Sequence, residues 1–221
     1  DYNLTGSYDG IQLYSSANDN LVHGNICNDN GRYGISVRSS SSNRNWVKNN
    51  VLRGNASKAF YDIGTDTKLA TKVFQFTEPI VGAWQVTSPA GILVDAATEG
   101  ALAEGWVPLE AQMVVRFRVK GVALAEPLAG YQMHLEIIVN AGKPTGHEPY
   151  NAEAVNVVNK DSTETAAVND AIEWIINGTD AADIEHIEFG ETFECFAMYE
   201  SAVGSDIATN AVIRTVSVEY V

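Results

Sequence analysis

A chain of 221 residues, 45% hydrophobic and 19% charged, has the balance of an ordinary folded protein and can bury an adequate core in one or two domains. Its net charge of -14 argues against nucleic acid as a partner, since phosphates need cationic contacts. No apolar run approaches the roughly 18 residues of a membrane-spanning helix, no signal peptide is evident, and the chain opens on Asp1, as a mature product or an excised piece of something longer would.

From Asp9 to Asn55 one pattern is written twice. Gly10-Ile11-Gln12-Leu13 matches Gly34-Ile35-Ser36-Val37 at an offset of 24, and Asn20-Leu21-Val22-His23-Gly24-Asn25 matches Asn45-Trp46-Val47-Lys48-Asn49-Asn50 at 25. A fixed period of this size, made of short β-runs, Gly and Asn, reads as one coil of a stacked parallel β-helix. Period-2 alternation turns Ile11, Leu13, Val22 and Cys27 inward, above or below Ile35, Val37, Val47 and Leu52, with Leu4 continuing the Cys27 column backward. Asp62 stands where Val37 stood one coil earlier, so the coils are expected to end there.

The asparagines keep the same spacing: Asn20 with Asn45, Asn25 with Asn50, Asn30 with Asn55. Stacked at equivalent bends they are expected to form amide ladders, each side chain donating to one coil and accepting from the next. The other use of such asparagines is as sugar or metal ligands.

The residues Asn20, Val22, Gly24, Asn25, Asn30, Tyr33, Gly34, Ile35 and Val37, at their spacing, resemble the right-handed parallel β-helix repeat of pectate-lyase-like enzymes, alginate epimerases, copper-maturation proteins and phage tailspikes. The resemblance covers about the first 62 residues and implies the fold; activity varies among such proteins. In β-helix lyases a groove on one sheet face carries calcium-binding aspartates and an Arg or Lys that takes the proton beside a uronate carboxylate. Arg38 above Tyr14 would imitate part of that arrangement, and Lys48 lies one coil from His23. The acidic cluster is missing, because no Asp or Glu occurs between Gly31 and Lys58.

Residues 1–68 hold seven Lys/Arg and six Asp/Glu, whereas 69–221 hold seven and twenty-two. This shift places a domain boundary at 68/69. Beyond it, alternating runs at 72–76, 83–86, 113–119, 131–137, 192–199 and 212–220 predict half-buried strands of an antiparallel β-sandwich, jelly-roll-like in strand number. The run 168–176 fits a short helix or a strand. The fold class is therefore all-β: a short right-handed parallel β-helix followed by a sandwich.

Candidate chemistry in the second half is sparse. Asp180, Asp183 and Glu185 have the spacing of calcium-ligating carboxylates, and solvated charge is the other reading. Trp106, between Gly105 and Val107-Pro108, is the candidate ring for stacking on sugar, while Trp84 and Trp174 sit in core-like alternation. Cys27 and Cys195 read as buried thiols, and Asn177 is the most accessible of three glycosylation sequons.

Two function classes follow. The first is a structural or binding module of an extracellular, cell-surface or virion β-helix protein. Its sandwich would serve capping, oligomerisation or glycan binding, with self-association, for instance as a trimer, implied by the tailspike-like layout and by open coil ends. The alternative is the end of a polysaccharide lyase, epimerase or hydrolase whose catalytic coils precede Asp1.

Overall fold

The computed structural model describes residues 8–80, 83–87, 90–94, 99–124, 134–142, 155–161, 171–177, 187, 190–199 and 211–221. Among them there are strands and no helix, so the fold class is all-β. The chain divides into two compact units. One comprises Asp1–Thr71, Pro108–Val115 and Glu219–Val221, the other Lys72–Val107 and Arg116–Val218.

The first unit is built of stacked coils. Strands β1 (Ile11–Leu13), β3 (Tyr33–Val37) and β5 (Lys58–Asp62) pair in parallel, with Ile11 beside Ile35 and Ile35 beside Phe60. A second parallel set joins β2 (Leu21–His23), β4 (Trp46–Lys48) and the start of β6 (Lys68–Gln75), aligning Val22, Val47 and Leu69. The inward residues Val22, Cys27, Ile35, Val37, Val47, Leu52 and Phe60 form one buried cluster. Removing each large apolar side chain from water contributes about 1.5–3 kcal/mol. Cys27 and Leu52 thus share the interior, as the repeat predicts; Leu4 lies outside the described residues.

Each corner uses the same device. Asp19 and Arg44, Gly24 and Asn49, Asp29 and Gly54 all have positive φ at equivalent coil positions, and each is followed by a ladder asparagine. A left-handed residue bends the chain sharply enough to start the next strand. All three expected ladders form: Nδ2 of Asn20, Asn25 and Asn30 donates to Oδ1 of Asn45, Asn50 and Asn55 at 3.0, 3.1 and 2.8 Å. The amide groups are consumed by the scaffold, which favours their structural use over ligand binding.

Coil spacing also explains one glycine. A Cβ on Gly34 would lie 2.7 Å from the carbonyl oxygen of Ala59, so the chain above leaves no room for a methyl group.

The coils do not end at Asp62, and this corrects the sequence expectation. Trp46 pairs with Lys68 and Val47 with Leu69, a further half-turn closed with a shorter offset. The Asp62 carboxylate accepts from the Gly64 amide at 2.8 Å and the Thr67 hydroxyl at 3.0 Å. A polar residue at an inward register position is therefore satisfied by a local turn, which shortens the loop without breaking the stack.

Residues far away in sequence complete this core. Met113 and Val221 are buried in the same cluster, with Val115 packed against it. The Val221 carbonyl accepts from Gln112 at 2.6 Å, and the Val221 amide donates to Met113 at 3.2 Å. Tyr220 donates its hydroxyl to Glu110 at 2.9 Å; burial, then the Glu110 carboxylate, pushes the phenol up to about 12.

The second unit is antiparallel. One sheet takes β13 (Val155–Asp161), β12 (His134–Gly142), β15 (Thr192–Tyr199), β10 (Gly100–Trp106) and β7 (Glu78–Ile80) in that order. The other contains β14 (Ala171–Asn177), β11 (Val114–Ala123) and β16 (Ala211–Tyr220), with β9 (Ala90–Val94) on β16 and β8 (Trp84–Thr87) on β9. Phe117 of β11 meets Phe193 of β15 edge-on at 5.2 Å, which joins the two sheets through an aromatic core. Of the ambiguous run at 168–176, residues 171–176 lie in strand β14, where Ile172, Trp174 and Ile176 alternate inward, and 168–170 lie outside the described residues. The strand's three inward apolar residues at period 2 fit a pleat against Phe117 and Val119 of β11, its ladder partner.

Candidate functional site

The outer face of β1, β3 and β5 carries a network that the sequence hides. Asp9 is only 1% exposed at its side chain and takes a two-pronged bond from Arg32, 2.6 Å from Nε and 2.9 Å from Nη2. Ser36 donates its hydroxyl to the same carboxylate, and the Tyr33 amide lies 3.4 Å from it. Burial alone would raise the Asp9 carboxyl, but the bonds from Arg32 and Ser36 and the Arg32 charge outweigh it and hold the group below its ordinary value. Ser36 is fully buried beneath this network.

Tyr33 and Tyr61 stack beside it at 4.8 Å with planes 11° apart. Arg32 lies over Tyr33 at 5.5 Å and Arg38 over Tyr61 at 5.9 Å. Leu13 pairs with Val37, and the Arg38 amide donates to the Leu13 carbonyl, which sets Tyr14 one coil from Arg38. The guanidinium nevertheless covers Tyr61, and Tyr14 is left 63% exposed. The carboxylate on this face, Asp9, is committed to Arg32 and Ser36.

Lys48 lies one coil from His23, as expected, but its ammonium turns to an aromatic ring. That ammonium sits 4.7 Å from the Trp46 ring, and Lys68 from the adjoining strand sits at 5.1 Å. Trp46 is 43% exposed, with exposed Leu21 as its strand partner. Trp46 escaped the sequence reading although its alternation with inward Val47 already turned it outward. His23 contacts Asn49 across 3.1 Å.

Trp106 closes β10 of the second unit and is 52% exposed. Its ring meets Phe74 edge-on at 5.0 Å, and the Lys72 ammonium lies 5.2 Å from its centroid. Phe74 packs in turn on Phe193 at 5.2 Å, so the indole is seated on the core at one edge and open elsewhere.

Asp180, Asp183 and Glu185 lie outside the described residues. Among the described residues no three His, Cys, Asp or Glu side chains are grouped as a metal would require. Cys27 and Cys195 are buried free thiols, and burial raises both, which disfavours the thiolate that a nucleophile needs. No helix among the described residues is long and apolar enough to cross a membrane.

With this geometry in place, residues 3–74 match the family described as "Right handed beta helix region". That match supports a right-handed course for the stacked coils. No curated protein matches the chain. Among solved structures it is similar to the carbohydrate-binding module CBM36 in complex with calcium and xylotriose, at TM-score 0.38 and 10% identity over 67% of this chain and 98% of that one. It is also similar to CsCBM6-3 from Clostridium stercorarium in complex with cellobiose, at 0.34 and 8% over 68% and 94%. A third is the enzymatically active domain of bacteriophage CBA120 tailspike protein 4, at 0.31 and 10% over 90% and 38%. All three are distant likenesses.

Proposed function

We propose that the chain is a non-catalytic structural and glycan-binding module, its coils forming a rigid stalk and its second unit a jelly-roll-like sandwich. One recurring observation carries this reading: each unit presents an exposed indole with a lysine ammonium on its ring, Trp46 with Lys48 and Lys68, and Trp106 with Lys72. An exposed indole accepts the C–H face of a sugar while the neighbouring ammonium serves its oxygens. The polar side chains around Arg38 are instead absorbed by the scaffold. Lys48 belongs to this reading as a binding residue, and Arg38 and Tyr14 as bystanders.

A secreted, cell-surface or virion location and a homo-oligomeric assembly such as a trimer belong to the same proposal, as does calcium held by Asp180, Asp183 and Glu185. Glycan arrays followed by calorimetry test it. Trp46→Ala or Trp106→Ala should weaken binding about tenfold or more, because stacked aromatic anchors dominate such contacts. Unchanged binding in both variants sinks the reading. Formation of an unsaturated uronate product, seen as rising ultraviolet absorbance, would return the chain to the polysaccharide lyases.

A further inference from the structure

The second unit gathers its few cations. Only seven Lys or Arg follow residue 68, against twenty-two Asp or Glu. Three of the seven, Arg116, Arg118 and Lys120, fall on one face of β11, alternating with buried Phe117, Val119 and Gly121. A fourth, Arg214, is exposed on β16. β11 and β16 are neighbours in the sheet: the Ser217 hydroxyl donates to the Arg118 carbonyl, and a Cβ on Gly121 would lie 2.7 Å from the Val212 carbonyl.

Between β14, β11 and β16 lies a cleft of about 450 Å³, lined by Lys120, Arg214, Thr215 and Glu173 and by the apolar walls of Val122 and Ala171. Glu173 is the acid of this lining, and Arg118 binds it at 2.6 Å. With that charge met from outside, Lys120 and Arg214 give the cleft its sign. Arg214 is aimed by a bond from its Nε to the Ala90 carbonyl at 3.1 Å. A concave site lined by one sign of charge focuses its field, here in surroundings of the opposite sign.

We propose that this cleft binds one anionic sugar unit, its carboxylate or sulfate ester taken by Lys120 and Arg214, its hydroxyls by Thr215, and its carbon face by Val122 and Ala171. A volume of this size suits one or two sugar rings. The proposal rests on the glycan-binding reading but uses a surface separate from Trp46 and Trp106.

Calorimetry on the full chain with a uronate oligomer, a sulfated oligomer, a neutral oligomer of equal length and inorganic sulfate tests it. The acidic oligomers should bind more tightly than the neutral one. Lys120→Gln combined with Arg214→Gln should weaken acidic binding about tenfold or more and leave neutral binding unchanged, as loss of two charge-assisted contacts requires. Both positions are exposed, so an unchanged melting temperature confirms that the double variant folds. Preference for the uronate or the sulfated oligomer identifies the acid. Equal binding of acidic and neutral oligomers, or an unchanged double variant, overturns the cleft assignment alone. Inorganic sulfate bound as tightly as either oligomer reduces the cleft to a simple anion site and also overturns it. Failure of every oligomer to bind overturns both this inference and the glycan-binding reading, whereas loss of neutral binding on Trp46→Ala or Trp106→Ala leaves the latter standing.

Discussion

Asn50 holds Asn25 by two bonds to one atom: its Oδ1 accepts from the Asn25 amide at 3.0 Å and from Asn25 Nδ2 at 3.1 Å. Its own Nδ2 donates to the carbonyls of Val22 and Lys48, both at 3.0 Å. Asn50 is 3% exposed, and its removal takes a partner from four backbone or amide groups, of which the Val22 carbonyl is buried. Asn50→Ala should therefore cost about 2–3 kcal/mol, the penalty of buried unsatisfied groups.

Asn25 is the less buried partner. Its Nδ2 gives to Asn50 and, at 3.3 Å, to His23. Asn25→Ala should cost about 1 kcal/mol, one ordinary hydrogen bond. Urea midpoints at constant slope measure both, and an Asn25 effect as large as that of Asn50 would refute the directional ladder.

The Asp9 network predicts an acid limb. Burial raises this carboxyl, yet Arg32 and Ser36 bring it below the ordinary aspartate value. A depressed folded value means that the contribution is complete above the unfolded value and disappears as pH falls through the folded one. Stability of the wild type should thus decline below about pH 4 more steeply than that of Asp9→Asn. Arg32→Met at pH 7 should cost about 3 kcal/mol, because it leaves a buried carboxylate without its cation. Chemical denaturation at pH 7 and pH 3 tests both, and parallel acid limbs for wild type and Asp9→Asn would rule the network out as their cause.

How far the sequence reveals this structure depends on how local each signal is. Asn20, Asn25 and Asn30 recur with their coil partners at one spacing, so the ladders could be read directly. Trp46 could have been placed outward by its parity with Val47, but its cation Lys68 comes from the next coil at an altered offset and breaks the period. Asp9 lies 23 residues from Arg32 and 27 from Ser36, and nothing in its own neighbourhood marks it as buried. Met113 and Val221 are further still from the coils whose core they share; apolar patterning shows that they are inward, not what they face. Lys120 and Arg214 meet only through the pairing of β11 with β16, a non-local contact that alternation cannot specify.

The two thiols offer a simple check of burial. Cys195 is fully buried and Cys27 is 8% exposed, and desolvation raises both. Since the thiolate is the reactive form, a disulfide reagent at pH 8 should label neither in the native protein and both after denaturation. Rapid native labelling of Cys195 would contradict the packing of β15.

Gly24 and Gly54 share a backbone conformation but not an environment. Their φ values are +70° and +63°, both left-handed, so alanine carries a similar conformational penalty of about 1 kcal/mol at each. A Cβ on Gly24 meets nothing within 4 Å, whereas one on Gly54 would sit 2.2 Å from Oδ1 of Asp29 in the coil below. Gly54→Ala makes that exposed carboxylate swing aside and should cost about 1–2 kcal/mol, mostly the conformational penalty. Asp29 itself has a φ of 54°, which glycine adopts without strain, so Asp29→Gly removes the obstacle. The double variant should then be more stable than the sum of the two single losses by about 0.5 kcal/mol, the low end of the coupling between neighbours in contact. Thermal melts of the four proteins close the cycle. Strict additivity would mean that Asp29 does not occupy the space above which Gly54 turns, and that the corners of successive coils are not in contact at this point.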